Sequence, residues 1–138
     1  MQRRGLLLAG AALALSARAA ATPAAMQAAI RVFTGGAPVR TGGVAFEIAP
    51  LVENGNTVPI TLRADDPAAK TIAVFNGGNP QPQVAVFRFG PRAGQPVVHT
   101  RIRLATSQSL TALAQFADGS WGATTVDVVV TLAACVEA

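Results

Sequence analysis

Hydrophobic positions change their spacing once along the chain, near residue 34. Within Pro23–Phe33 the apolar side chains Met26, Ile30 and Phe33 recur at steps of four and three, which predicts a short amphipathic helix. The segment TGGAP at 34–38 predicts the end of that helix. The later apolar runs are short and bounded by Gly, Pro, Asn or Asp, which indicates β-structure.

Seven of these runs have the length and the flanking turn residues of strands. Asn54, Gly55, Gly77 and Gly78 predict turns because Gly and Asn tolerate positive φ, and the DG pair at 118–119 is typical of a hairpin. We therefore expect an all-β fold, an immunoglobulin-like antiparallel β-sandwich of about seven strands preceded by the short helix. The predicted strands are Gly43–Ala49, Thr57–Ala64, Thr71–Asn76, Gln83–Phe89, Pro96–Leu104, Ser109–Ala117 and Gly122–Leu132.

The last two predicted strands differ in their second faces. Ser109–Ala117 alternates strictly, so we expect a half-buried strand with Leu110, Ala112, Ala114 and Phe116 toward the core. In the last strand Val129 and Thr131 lie on the face opposite the core-facing valines. That face is partly apolar, and we expect it to contact a partner.

The first 21 residues have the pattern of a cleavable signal peptide. Arg3 and Arg4 precede an apolar run too short for a stable membrane span, and small residues at Ala17, Ala19 and Ala21 fit A-x-A cleavage. The adjacent arginines are compatible with twin-arginine export, with general secretion as the alternative. We therefore expect a periplasmic protein with a signal peptide at 1–21 and one domain at 22–138, cleaved after residue 19 or 21.

Charge and composition exclude several classes of function. The net charge of +4 depends on the leader, because the remaining chain has eight basic and seven acidic residues. With one Trp, no Tyr and no basic run, nucleic-acid binding is disfavoured. A single His and a single Cys cannot form a closed zinc site, and neighbouring carboxylates such as Asp65 and Asp66 fit solvated turns better than a catalytic pair. We expect no catalytic residues, no metal and no other cofactor.

Cys135 is the chain's only cysteine and lies fourth from its end. In an oxidising compartment it must be buried and inert, paired with another molecule, or a reactive free thiol. If the last strand ends near Leu132, residues 133–138 form an arm that holds the thiol about 10 Å from the body, which suits a carrier. Alternatively, the strand continues and buries the sulfur as a small hydrophobe.

Five segments of the chain resemble the SoxY family, the sulfur-carrying subunit of the SoxYZ complex of bacterial thiosulfate oxidation. The resemblance extends from about Ala28 to the end of the chain. The segments are LVENGNTVPI at 51–60, IAVF at 72–75, NPQP at 79–82, TRIRLA at 100–105 and DGS at 118–120.

This resemblance implies a carrier that is not itself an enzyme. It implies an immunoglobulin-like sandwich paired with a SoxZ-like subunit, with pathway intermediates attached covalently to Cys135. It also implies transient contacts with three enzymes. A haem-containing SoxAX-type cytochrome joins thiosulfate to the thiol, a SoxB-type hydrolase releases sulfate, and a sulfane dehydrogenase can oxidise the remaining sulfur.

The arm departs from the family pattern. SoxY proteins typically end in GGCGG, whereas this chain ends in Ala133, Ala134, Cys135, Val136, Glu137 and Ala138. Alanine restricts φ and ψ more than glycine does, and Glu137 disfavours a thiolate and an anionic cargo nearby. We therefore expect slower loading or a different cargo. The alternative function is a SoxY-derived scaffold subunit that carries nothing; an independent enzyme is a third class.

Overall fold

The computed structural model describes residues 21–134 as one helix and nine strands. Of the predicted elements, the helix and the strand Thr71–Asn76 have the expected bounds, and four other strands are shorter at one or both ends. The last two strands begin one residue before and end two residues before their predicted bounds. The elements are α1 Pro23–Phe33, β1 Val39–Thr41, β2 Val44–Glu47, β3 Leu51–Val52, β4 Val58–Ala64, β5 Thr71–Asn76, β6 Gln83–Arg88, β7 Val97–Ile102, β8 Gln108–Gln115 and β9 Trp121–Val130.

Two sheets form the sandwich. One has the strand order β1-β9-β8-β5-β6, with β3 also paired to β9, and the other has the order β2-β4-β7. Leu62 and Ile60 from the smaller sheet and Ile72, Leu110 and Val128 from the larger one belong to the same buried core. The expected all-β sandwich is therefore confirmed.

The helix forms because both of its ends are capped and one face is apolar. The Thr22 hydroxyl accepts a hydrogen bond from the Ala25 amide at 3.1 Å, and Pro23 occupies the first turn, where its missing N–H costs nothing. Met26 and Ile30 are buried against β5 and β8, and the Phe33 ring packs edge-on against Phe75 and Trp121.

This packing corrects the expectation of a half-buried β8. Its Leu110 and Ala112 face the sandwich core as predicted, but Leu113 on the opposite face is also fully buried, beneath α1. Thr111, on that same face, is buried with its hydroxyl bonded to the Thr125 hydroxyl at 2.8 Å. The alternation is real, but the helix covers the second face.

Two short strands were not predicted, and both correct the purely antiparallel expectation. β1 and β3 pair with β9 in parallel, at opposite ends of that strand. They contain three and two residues, too few for alternation to be recognised in the sequence. Between them the chain crosses to the other sheet as β2.

The two ends of the sandwich differ in the strands that finish there. The arm end is where β5, β7 and β9 finish, at Asn76, Ile102 and Val130. The opposite end is where β4 and β8 finish, at Ala64 and Gln115. Within residues 21–134 no helix has the length and apolar character needed to cross a membrane.

Candidate functional site

The chain remains attached to the body after β9 ends. The Thr131 amide donates to the Val52 carbonyl at 2.9 Å, and the Thr131 hydroxyl donates to the Glu53 carbonyl at 3.2 Å. These bonds continue the parallel pairing of β3 with β9 past the end of both strands. The segment that leads to the arm therefore runs along the loop that follows β3.

Three further backbone hydrogen bonds form what we call the clasp, made by Gly55, Leu104, Leu132 and Ala134. The Gly55 amide donates to the Leu132 carbonyl at 2.7 Å, and the Leu104 amide donates to the Gly55 carbonyl at 2.8 Å. The Ala134 amide donates to the Leu104 carbonyl at 2.9 Å. The clasp thus joins three segments that are distant in the sequence, and Ala134 within it is buried.

Gly55 is required in the clasp because a side chain there has no space. A Cβ on Gly55 would lie 2.4 Å from the Leu104 carbonyl oxygen, 2.9 Å from the Ala134 nitrogen and 3.1 Å from the Leu132 carbonyl oxygen. The sequence predicted a turn here on the ground of positive φ, and that reason is wrong, since Gly55 is not among the positive-φ glycines. The turn exists, and glycine serves close backbone approach instead.

Neutral amide side chains organise the loops around the clasp. Asn54 Oδ1 accepts from the Asn56 amide at 3.0 Å and so closes the turn that contains Gly55. Asn79 holds both sides of Leu104: its Nδ2 donates to the Arg103 carbonyl at 2.8 Å, and its Oδ1 accepts from the Ala105 amide at 2.9 Å. The position of the Leu104 carbonyl is thereby fixed from two directions.

An exposed apolar surface and a groove lie beside this loop. Leu51 of β3 and Val129 of β9 are register partners that are 56% and 55% exposed, and Leu132 is 59% exposed. The groove has a volume of about 800 Å³ and is lined by residues between Phe46 and Pro59, including Leu51 and Glu53. The predicted partner face thus contains exposed Val129, whereas Thr131 uses its hydroxyl internally.

The residues singled out from the sequence fall into two groups. Arg3, Arg4, Cys135, Val136 and Glu137 lie outside the described residues, and so does the predicted signal peptide apart from its last residue. The other two arm residues are described. The one at 133 is exposed and the one at 134 is buried in the clasp, so these two residues do not extend freely from the body as we expected.

The remaining candidates for chemistry do not converge. His99 is exposed, as predicted, and its Nδ1 lies 3.0 Å from the Thr61 hydroxyl. Asp66 caps turns, accepting from the Ala68 amide at 2.9 Å and the Ala117 amide at 2.8 Å. Among residues 21–134 no group of three His, Cys, Asp or Glu side chains is placed to hold a metal ion.

Two carboxylates at the opposite end have perturbed acidity. Hydrogen bonds from the Ala117 and Ala68 amides lower the pKa of Asp66, because they stabilise its charged form. Hydrogen bonds from the Ser120 hydroxyl and amide lower the pKa of Asp118 in the same way. Both carboxylates cap turns at the surface, so their lowered pKa values reflect hydrogen bonds that stabilise the hairpin and the loop at this end.

Comparison with known proteins identifies the class of the chain. The family model "Sulfur oxidation protein SoxY" matches residues 29–135. The chain is 30% identical to the sulfur carrier protein SoxY from Chlorobium limicola f thiosulfatophilum, with a TM-score of 0.68, covering 78% of this chain and 96% of that one. No curated protein gives a significant match.

Superoxide reductases share the fold. One solved form of the neelaredoxin from Ignicoccus hospitalis is 16% identical with a TM-score of 0.57, covering 75% of this chain and 86% of that one. The putative superoxide reductase from Thermotoga maritima is 17% identical with a TM-score of 0.56, covering 71% and 89%. At such identities the likeness concerns the fold alone.

Proposed function

The chain belongs to the SoxY family, and from this premise we propose that it is a periplasmic sulfur carrier that holds thiosulfate-derived intermediates covalently on Cys135. One observation carries the proposal. The family match extends through residue 135, which is the only cysteine of the chain. A carrier needs one thiol at a defined place, and this chain has one, directly after a residue that the clasp holds.

Loading of the carrier is an oxidation. The Cys135 thiol and thiosulfate lose one proton and two electrons together, and a sulfur–sulfur bond forms to give an S-thiosulfonate on the cysteine. The proton passes to solvent, and the two electrons pass to a haem-containing cytochrome of the SoxAX type. Since this chain is proposed to supply only the nucleophilic sulfur, it acts as the protein-bound substrate of that partner and not as an enzyme.

Release of sulfate is a hydrolysis that the carrier also undergoes as a substrate. Water attacks the terminal sulfur of the adduct, the bond between that sulfur and the sulfane sulfur breaks, and sulfate and two protons leave. The persulfide anion remains on Cys135. A SoxB-type hydrolase is the proposed catalyst, and a sulfane dehydrogenase can then oxidise the remaining sulfur.

The first test measures the intact mass of the processed protein, purified without reductant from its host grown with and without thiosulfate. We expect a thiosulfonate or persulfide adduct that peptide mapping places on residue 135 and that a reducing agent removes. The Cys135→Ser variant is the matched control and should show no adduct. An unmodified thiol under both conditions, with the partner enzymes present, would contradict the proposal.

A non-carrying scaffold is the second candidate. The burial of Ala134 and the acidic Glu137 that follows the cysteine favour it, because both differ from a free glycine arm. The two candidates separate in a strain carrying the Cys135→Ser variant. A scaffold still supports growth on thiosulfate, whereas a carrier loses that support completely.

We also propose that the exposed pair Leu51 and Val129 binds a SoxZ-like subunit. The two apolar residues are register partners on the surface of the sheet, and both are more than half exposed. A heterodimer would bury this apolar surface. A Val129→Asp substitution should weaken the complex by about tenfold or more, because a buried unpaired carboxylate is costly at an interface. Val32→Asp is the control, since Val32 is 83% exposed on α1; an equal effect of both would refute this contact.

A further inference from the structure

We propose that Gly55 is a positioning residue for Cys135, because the clasp fixes the residue immediately before the cysteine. This inference rests on the carrier function proposed above. It assigns a role to a turn glycine that carries no functional group. The reactive sulfur then depends on backbone hydrogen bonds made far from it in the sequence.

The first step of the inference is geometric. Covalent geometry keeps the Cα of Cys135 about 3.8 Å from that of Ala134. Ala134 is 6% exposed, and its amide is held by the Leu104 carbonyl at 2.9 Å. The point from which the cysteine can move is therefore set by the clasp and not by the end of β9 four residues earlier.

The second step concerns what holds the Leu104 carbonyl. Gly55 accepts from the Leu104 amide and donates to the Leu132 carbonyl, so it bridges the two segments that Ala134 joins. Asn79 bonds on either side of Leu104, to Arg103 and Ala105. The acceptor for Ala134 is thus part of a rigid support. Preorganisation of this kind lowers the entropy that a partner must remove to align the thiol.

The third step explains why only glycine serves at residue 55. The three atoms nearest to a Cβ there are all backbone atoms of the clasp, at 2.4 to 3.1 Å. Backbone atoms cannot rotate away as a flexible side chain can. A Gly55→Ala substitution must therefore separate the loop from Leu104 or from Ala134, and either displacement breaks the clasp.

The test combines amide exchange with enzymatic loading of the full protein. In Gly55→Ala we expect the Ala134 amide to exchange about tenfold faster or more, while amides of β5 and β8 exchange as before. Gly90→Ala is the control, since a Cβ on Gly90 meets no atom within 4 Å. Unchanged exchange at Ala134 would overturn the clasp as the anchor.

The second measurement uses thiosulfate with the haem-containing partner cytochrome and follows the adduct mass with time. Gly55→Ala should load about fivefold more slowly or worse, while alkylation of Cys135 by the small reagent iodoacetamide is not slowed. Slower alkylation would overturn the positioning role, because it would indicate that the thiol is buried and not misplaced. Loading at the wild-type rate, in a variant whose Ala134 amide exchanges faster, would also overturn it.

A second variant covers the case in which Gly55→Ala does not fold. Ala134→Pro removes the amide donor and leaves the Gly55 loop intact. It should slow enzymatic loading as Gly55→Ala does, while alkylation by iodoacetamide is not slowed. Failure of the wild-type protein to load would overturn the carrier function and with it the positioning role. The exchange measurement on the same sample separates that result from a failure of the clasp itself.

Discussion

At both ends of the sandwich there are glycines where a Cβ would collide with nearby atoms, and the colliding groups differ between the two ends. At the arm end Gly55 admits the backbone of the clasp. At the opposite end a Cβ on Gly43 would lie 2.4 Å from the Phe116 ring, and a Cβ on Gly122 would lie 2.3 Å from the Gly42 carbonyl oxygen and 2.8 Å from the same ring. The Arg40 guanidinium covers the same ring at 4.3 Å.

The capping groups at the two ends differ as well. Asn54, Asn76 and Asn79 organise the arm end through neutral amides. Asp66 and Asp118 organise the opposite end through carboxylates whose pKa values are lowered. The carboxylates that cap turns thus lie at the end away from the arm. Stability and positioning therefore depend on different ends of the same sandwich.

The largest effect should follow from removing the ring at the opposite end. Phe116 is 3% exposed and belongs to the main core, so Phe116→Ala should lower the free energy of unfolding by about 3–5 kcal/mol. Urea denaturation measures this loss. Leu132→Ala is the control: Leu132 contributes only its backbone carbonyl to the clasp and its side chain is exposed, so the change should be less than about 0.5 kcal/mol. Equal losses would contradict the division between the ends.

A charge placed at the arm end should be the next largest perturbation. Asn76 is 1% exposed, and its Nδ2 donates to the Gln81 and Pro82 carbonyls. Asn76→Asp replaces this donor by a carboxylate facing two carbonyl oxygens, and should destabilise the fold by roughly 1–3 kcal/mol at pH 7.

This deficit should shrink as the pH falls, because repulsion raises the pKa of the new carboxyl and its protonated form can donate again. Urea denaturation at pH 7 and pH 4 measures the trend. Asn54→Asp is the control, since the acceptor of that exposed turn survives the change. A deficit that grows on acidification would show that the amide donor at residue 76 is not what stabilises the loop.

Acid should weaken the opposite end in the wild-type protein by a smaller amount. The folded-state pKa of Asp66 and that of Asp118 lie below the ordinary 3.8. Their stabilisation is therefore complete well above pH 3.8 and is lost as the pH falls through the lowered values. Thermal denaturation between pH 6 and pH 2 should show a shallower decline for Asp66→Asn than for the wild type. The control is Asp65→Asn, because within residues 21–134 no amide donates to the Asp65 side chain. Identical slopes for Asp66→Asn and Asp65→Asn would contradict the role of Asp66 as the acid-sensitive cap.

Removal of the proposed signal peptide should have the smallest effect on the fold. Ala21 is 6% exposed, and its amide donates to the Asn79 carbonyl at 2.8 Å. Cleavage after Ala21 would remove that contact and place a charged ammonium at the Thr22 cap of α1, where the helix dipole disfavours a cation. We therefore expect cleavage after Ala19, so that the intact mass corresponds to a chain beginning at residue 20. A chain beginning at Thr22 would show that the Ala21 contact is dispensable.

The sequence was sufficient for much of the fold, because periodicity and turn residues are local signals. The helix and the seven longer strands were all found this way. Missing were β1 and β3, which are too short for alternation, and the cover that α1 places over Leu113. Both depend on which distant segments meet, and residue type within one strand does not contain that information.

The candidate site was predictable to a different extent. Cys135 is identifiable because it is the only thiol and the chain resembles a carrier family. The role of Gly55 was not identifiable, since a turn containing Gly and Asn has an ordinary explanation in φ. Only the folded chain brings residues 55, 104 and 134 together and shows that close approach is the reason for glycine.

The hydrogen bonds of Asn79 determine where a label can be attached to this protein without disturbing the arm end. Ala21 bonds to Asn79, Asn79 bonds to both neighbours of Leu104, and Leu104 bonds to Ala134. A fluorophore attached beside Ala21 or Ala134 therefore lies at the arm end of the sandwich. The exposed loop at 90–95 joins β6 to β7 at the opposite end of the sandwich. A tag inserted in this loop leaves the arm end accessible to partner proteins.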